Sequence, residues 1–477
     1  MTLSFLTAGN LMVAPYKLER IIELKLIRKI NEHTRLCFTG ILQDNLGEQD
    51  IHKTSPDTLV ELYQQDYGMD KKLLFKGIVS QMEIKSIQDI YYIEVEAVSL
   101  TQMLDVKLTS RSFQNPKMTY EDLINLVIRD YNGVIKDEAS QGRKIEKMIM
   151  QFQETDWQFL KRLASRFNAG LVSYDLGDKP KLYFGVAECE KGIDVELEDV
   201  SYRVGKKLAG YKYASENFIP DVNEDDFVYY EVVSKQVLNI GDSVIFTGKR
   251  LFVCEATSYL ENNMLKHLYR ITTQKGLCQK TFDNDKIIGL SIEGRVIEVD
   301  KDNIKTHLAI DPRQSAEEAY WIPYSTVYTA EGNSGWYCMP ELDDHVRIYF
   351  PTKKEADAIA IGSVRKDSDT KGNNKLSDPD VKYFRTKSGK ELMFSPSEVV
   401  ITGKDNEIFI RLNDKDGIEL HSTKAINIIS KNNLNMESEE AKVVIKAKSG
   451  IKLTCNSSEI DLTPGSVNIT GDEIKDN

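Results

Sequence analysis

The last hundred residues carry a repeat of apolar positions that shapes the reading of the whole chain. One column runs Ile410, Ile418, Ile426, Leu434, Val443, Ile451, Ile460 and Val467. A second, two residues on, runs Leu412, Leu420, Ile428, Met436, Ile445, Leu453, Leu462 and Ile469. Each unit predicts a short strand with two inward apolar side chains, then a polar turn. Such a unit cannot bury its apolar face alone, so stacked units predict a β-solenoid or an intertwined β-prism. Two inward residues per turn are too few to fill a single-chain solenoid. Three chains winding together close a core, in which each side chain is worth about 1.5–3 kcal/mol when fully buried. Order in this region is then coupled to trimerisation. An antiparallel meander also gives evenly spaced strands, although turn signals such as Asn-Gly are sparse here.

Upstream, the period changes several times. Residues 1 to about 100 read as strands, with alternation clearest over Ile93, Glu94, Val95, Glu96 and Ala97. From 101 to about 200 a helical period takes over. Thr119 followed by Glu121 and Asp122 predicts an N-cap, with Leu123, Leu126, Val127 and Tyr131 on one face and a stop at Asn132-Gly133. A second helix starts at Thr155, with Gln158 at capping-box spacing. Its buried stripe is Trp157, Leu160, Ala164 and Phe167, and Asn168-Ala169-Gly170 ends it. Strands over 170–174 and 181–185 follow. Residues 200 to about 285 return to strands, with a hairpin turning at Thr247-Gly248-Lys249 and a break at Asn262-Asn263. Over 286 to about 370 short strands are expected at 288–299, 307–310, 346–350 and 358–363, a pattern that closes into a small barrel. A polar linker over 366–380 follows.

Composition narrows the function. With 477 residues the chain needs several domains. A net charge of −12 argues against a nucleic-acid backbone or an anionic membrane as ligand. No apolar run reaches membrane-spanning length. Lys17, Glu19 and Arg20 break up the N-terminal stretch, so no signal peptide and a cytoplasmic synthesis are expected. The six cysteines never form a CxxC pair, and the six histidines never stand at metal-ligand spacing. Gly241-Asp242-Ser243 lacks the second half of a nucleophile elbow and reads as a turn before a strand. Adjacent acids such as Asp225-Asp226 and Glu439-Glu440 read as solvated surface. Trp157 and Trp336 read as core anchors, and His421 as an outward residue. No catalytic residue, metal or cofactor is expected.

Four stretches, in order, carry a resemblance. They are Lys76-Gly77-Ile78-Val79 through Leu104-Asp105 and Ser110-Arg111-Ser112-Phe113-Gln114, then Glu154-Thr155-Asp156-Trp157-Gln158-Phe159-Leu160-Lys161-Arg162-Leu163-Ala164. Next come Gly332-Asn333-Ser334-Gly335-Trp336 with Met339-Pro340-Glu341 and Ile361-Gly362-Ser363-Val364, and last Arg385-Thr386-Lys387-Ser388-Gly389-Lys390-Glu391-Leu392. The chain resembles VgrG proteins of type VI secretion and the hub and spike proteins of contractile-tailed phages and phage-tail bacteriocins.

The resemblance implies a mainly β protein: two hub β-barrels (1–100 and 201–285), an α/β insertion (101–200), an OB-fold domain (286–370) and a trimeric β-helix or β-prism needle (371–477). Trp157, Leu160, Trp336 and Pro340 become structural anchors, and the two apolar columns the trimer core. It implies a homotrimer that joins a six-fold tail tube to a three-fold needle piercing a target envelope. Tail tube and baseplate wedge proteins are the implied partners, with a PAAR-type tip protein and a tape-measure protein beside them. Some phage needles hold a metal near the tip through an H-x-H; the tail 468–477 has none. Only linker residues stand where some phage spikes carry a lysozyme, so no enzyme and no fused toxin are expected. A VgrG proper, a tail-associated cell-wall hydrolase and an OB-fold nucleic-acid binder remain the competing readings.

Overall fold

Alternating burial makes the first strands. The computed structural model describes residues 7–43, 51–65, 71–187, 195–196, 201–217, 219–330, 334–364 and 378–475. Most of the expected linker, Gly332, Asn333 and Cys189 lie outside the described residues. Two units form, Met1–Asp367 and Ser368–Asn477. No helix among the described residues is long and apolar enough to cross a membrane.

In the first unit, β1 (Leu11–Ala14), β2 (Leu18–Lys29), β3 (Arg35–Leu42), β4 (Leu59–Gln64), β5 (Lys72–Ile87) and β6 (Ile90–Ser99) pair in the order β1-β4-β5-β6-β3-β2. Leu36, Phe38 and Leu42 of β3 alternate into one core with Phe75, Ile93 and Val95. Gly77 is required by close approach: a Cβ there would lie 2.2 Å from the Val98 carbonyl oxygen and 2.5 Å from the Phe75 ring.

The insertion holds β7 (Thr109–Phe113), α1 (Tyr120–Arg129), β8 (Val134–Asp137), β9 (Ile149–Glu154), α2 (Asp156–Ser165), β10 (Leu171–Tyr174) and β11 (Lys181–Phe184). Both helices begin where the sequence places them. Thr119 and Asp122 form a reciprocal cap on α1, and Thr155 and Gln158 do so on α2. Leu123, Val127, Trp157, Leu160 and Ala164 share one buried core, with Leu126 and Phe167 packed at its margin.

The second β region comprises β12 (Val195–Glu196), β13 (Tyr202–Lys206), β14 (Val228–Ser234), β15 (Ser243–Phe246), β16 (Lys249–Glu261) and β17 (Met264–Thr272). It also contains a helix the sequence reading omits, α3 (Leu208–Glu216). Lys207 at its N-cap makes no side-chain capping bond, and the helix buries only Ala214, so neither signal used for the other helices exists here. The strands of the two expected hub barrels are lobes of one twelve-stranded sheet, each over its own core. The joint is β2 against β16, antiparallel, with Lys29 opposite Glu255 and Lys25 opposite Tyr259.

The lobes repeat one pairing scheme. β12-β15-β16-β17-β14-β13 follows β1-β4-β5-β6-β3-β2 step for step, except that β12 runs parallel to its partner where β1 runs antiparallel.

Next, β18 (Ser291–Asp300), β19 (Asn303–Leu308), β20 (Trp321–Ser325), β23 (His345–Tyr349) and β24 (Ile359–Ser363) close a five-stranded barrel. This is the small barrel expected over 286–370. β19 begins earlier than predicted. The sequence reading places no strand at β20, which carries at its centre Pro323, a residue that cannot donate to a ladder. A two-stranded ribbon, β21 (Thr329–Ala330) with β22 (Ser334–Gly335), branches from the barrel chain.

In the second unit, β25 (Lys382–Arg385), β26 (Glu391–Phe394), β27 (Glu398–Lys404), β28 (Ile408–Asn413) and β29 (Gly417–Ser422) form an antiparallel sheet in sequence order. β30 (Ile451–Cys455), β31 (Ser458–Thr463) and β32 (Ser466–Thr470) form another. Within one chain the repeat therefore pairs as meanders. Residues 423–450, which include six positions of the two columns, form no strand.

Candidate assembly surfaces

The apolar columns become rows across the sheets of the second unit. Phe384, Leu392, Ile401, Ile410 and Leu420 stand opposite one another across β25 to β29. Phe394, Val399, Leu412 and Ile418 make a parallel row two residues away, on the same face. In the smaller sheet the rows are Ile451, Leu462 and Val467, then Leu453, Ile460 and Ile469. This follows from strand geometry, since residues two apart share a face.

The face is bare in the single chain. Ile418 is 74% exposed, and Ile410, Leu412, Leu420, Leu453, Ile460, Val467 and Ile469 are also exposed, whereas Ile451 and Leu462 are half-buried. Ile426, Ile428, Leu434, Met436, Val443 and Ile445 are exposed in 423–450. The opposite face is mixed, with ion-paired side chains between Tyr383, Met393, Val400 and Phe409. Arg385 bonds Glu391 at 2.7 Å and Asp405 at 2.6 Å, and Arg411 bonds Glu398 at 2.6 Å. His421 lies on this outer face, stacked on Phe409 with ring centroids 5.0 Å apart. An exposed apolar face of this extent marks an interaction surface.

The motif residues of the first unit build a rigid joint between insertion and barrel. Arg162, on α2, donates to both carboxylate oxygens of Glu154 at 2.8 Å, to Glu355 at 2.7 Å and to the Met150 carbonyl at 2.7 Å. Arg166 adds two bonds of 3.0 Å to Glu355. Burial works against the Arg162 charge, but Glu154 and Glu355 more than offset it and raise its pKa. Ser112 donates to Asp311 through its backbone N at 2.7 Å and its hydroxyl at 2.5 Å. Gln114 donates to the Thr306 carbonyl and accepts from the Tyr320 N–H. Met148 and Met150 pack inside the barrel's own core.

Of the four expected anchors, Trp157 is buried, with its ring 4.1 Å from that of His33, and Leu160 is fully buried. Pro340 is buried. Trp336 is a correction: it is 63% exposed and follows the ribbon strand β22, beside exposed Val327, Tyr328 and Tyr337. A two-stranded ribbon has no second layer to cover such a ring. Ser243, in the stretch read as a turn, is buried at the start of β15, and Gly241 before it has a positive φ of 90°. Among the described residues no group of three or more His, Cys, Asp or Glu is placed to hold a metal.

The sequence matches no protein-family model and no curated protein. Solved structures do match. The E. coli c3393 protein is a component of the type VI secretion system, itself described as similar to the T4 bacteriophage tail proteins gp27 and gp5. It aligns over 74% of this chain and 99% of its own, with a TM-score of 0.53 and 14% identity. A chain of the lidless PdpA–VgrG complex aligns over 84% of this chain and 93% of its own, with a TM-score of 0.54 and 11% identity. A chain of the half-lidded Francisella PdpA–VgrG complex covers 84% and 83%, with a TM-score of 0.50 and 12% identity. Identities this low establish fold alone. The chain has the VgrG-like hub-and-spike fold of type VI secretion and phage-tail proteins.

Proposed function

We propose that this chain is the homotrimeric hub-spike of a contractile injection system, a phage tail, an R-type bacteriocin or a related particle. In this reading the twelve-stranded sheet meets the six-fold tail tube, and the C-terminal unit winds with two further copies into the needle. The role is mechanical and not catalytic. Tail tube and baseplate wedge proteins are its partners, a PAAR-type protein tips the needle and a tape-measure protein lies behind it. Assembly takes place in the cytoplasm, and the particle is later released or ejected.

The observation that supports this reading best is the pair of apolar rows left bare on one face of the C-terminal sheets. Their cross-strand alignment presents two aliphatic side chains per strand to a partner with the same pattern, and a second and third copy supply it. The hub-and-spike fold supports the same assignment. A VgrG spike of a type VI secretion system fits this fold equally, and the genes beside this one separate the two. Light scattering after size exclusion tests the trimer. The expected mass is about 163 kDa, three times the 54.3 kDa chain, weakening or dissociating when the chain ends at Asp380. A monomer with an ordered C-terminus overturns the reading.

A further inference from the structure

The insertion carries a loop between β8 and β9 whose two cations have no carboxylate to meet. Gln141 and Gly142 turn the chain there through positive φ of 52° and 71°. Main-chain bonds then pin the loop to the segment that leads into α1. Tyr120 N–H donates to the Arg143 carbonyl at 2.9 Å, Ile145 N–H to that of Met118 at 2.9 Å, and Glu146 N–H to that of Pro116 at 3.2 Å. Arg143 and Lys144 therefore project from a fixed backbone. Both are exposed, and among the described residues neither has an ion-pair partner. The Arg143 guanidinium lies over the Phe167 ring, 5.7 Å from its centroid.

Arg143 and Lys144 line an open cavity of about 650 Å³ together with Tyr120, Ile145, Arg166 and Phe167. Tyr120 is more than nine-tenths buried, and its hydroxyl lies 3.5 Å from Arg166 Nη1. Arg166 Nη2 is already taken by Glu355. A phenol both accepts and donates. This one accepts from a cation, and its own proton has no acceptor among the described residues, so water or a ligand must take it. Three cations thus converge on the cavity, Glu146 is the one acid in its wall, and Glu355 is shared between Arg162 and Arg166. The result is a positive spot on a chain of net charge −12.

We propose that this cavity docks an acidic side chain of a partner protein, a glutamate or aspartate flanked by aliphatic residues. Arg143 and Lys144 pair with the carboxylate, and the Tyr120 hydroxyl donates its unspent proton to it. Bonds in which both groups are charged are the stronger kind. Ile145 and Phe167 supply apolar contact for the flanking residues. A peptide carboxylate suits the cavity better than a nucleic-acid backbone, because Glu146 in the same wall repels a run of phosphates. The acidic surface beyond the cavity repels them further. This docking goes beyond the hub-spike reading and does not depend on the trimer.

Fluorescence anisotropy on the full chain tests this with a labelled, end-capped hexapeptide that carries two adjacent glutamates between leucines. The same peptide with glutamines is the control. The glutamate peptide should bind saturably and roughly ten-fold more tightly than the control, a difference that shrinks as salt is added. R143Q/K144Q should weaken the glutamate peptide roughly ten-fold and leave thermal unfolding unchanged, since both side chains are exposed. Y120F, which removes the donated proton and keeps the ring, should weaken it roughly three-fold. Absence of saturable binding, equal affinity for the two peptides, or full affinity in R143Q/K144Q overturns the proposal. So does a single-stranded oligonucleotide that binds more tightly than the peptide and loses its affinity in R143Q/K144Q, because the cavity then takes phosphates.

Discussion

His267 stands in the second lobe where Ile93 stands in the first. Both sit in the second strand of equivalent hairpins, at equal distance from the turn, and both are buried, at 2% and 0% exposure. Ile93 fills the place with aliphatic surface. His267 fills it with an imidazole whose Nδ1 lies 2.6 Å from Ser258 Oγ and whose buried Nε2 finds no hydrogen-bond partner among the described residues. Burial, with the charges of Arg28 and Lys72, pushes its pKa down to about 4.

The hub should therefore lose stability in mild acid. The unfolded histidine takes up a proton near pH 6.5, whereas the folded one resists until about pH 4. Its contribution is intact above about pH 6.5 and declines through that window, a loss of about 3 kcal/mol at its lower end. Urea titrations at pH 7 and pH 4.5 should show a smaller drop for His267→Ile than for the natural chain. Equal drops would place the acid sensitivity elsewhere.

Removing Arg162 strands the Glu154 carboxylate and leaves Glu355 with Arg166 alone. Arg162→Met should destabilise the first unit by about 3–5 kcal/mol, because Glu154 stays buried without its partner. Adding Glu154→Gln and Glu355→Gln to that variant should recover part of the loss, read as the denaturant midpoint.

Ile418→Asp with Leu420→Asp should weaken or dissociate the proposed trimer while leaving the hub's thermal transition in place. Both side chains are exposed in one chain, so the cost of the charges appears only when copies meet. Light scattering reads the first effect and calorimetry the second.

Gly77→Ala should destabilise the first lobe by about 1–3 kcal/mol or more, since the added methyl meets a main-chain oxygen that cannot swing aside. Chemical denaturation of this variant beside Gly9→Ala, whose nearest neighbour would be 3.7 Å away, separates overpacking from any general effect of replacing glycine.

Sequence reading succeeded where a residue announces its own local bond. Thr119 and Thr155 declare their helices, Asn262-Asn263 declares a turn, and the apolar columns declare strands over 408–422 and 451–470, though not over 423–450. It failed where the cause lies elsewhere in the chain. Pro323 hides β20, which exists because the barrel needs a closing partner for β19. Trp336 reads as core from its chemistry alone, and nothing local tells that its place beside the ribbon leaves it 63% exposed. The duplicated hairpin escapes for a related reason. Ile93 and His267, or Ile84 and Ser258, share no chemistry, and what marks them as counterparts is the pair of bulges at Ser80 and Cys254 with the positive-φ turns Gln88-Asp89 and Asn262-Asn263. A comparison of turn and bulge positions, in place of residue types, is the signal that finds it.

The joint at Arg162 has a mechanical corollary. Apolar packing resists separation but tolerates sliding, because it depends on area and not on direction. A guanidinium held to two carboxylates and a main-chain oxygen is directional, and a small lateral displacement breaks its geometry. In the proposed spike, thrust delivered to the barrel would therefore pass into the insertion through a shear-resistant rivet beside a compliant gasket of Met148 and Met150.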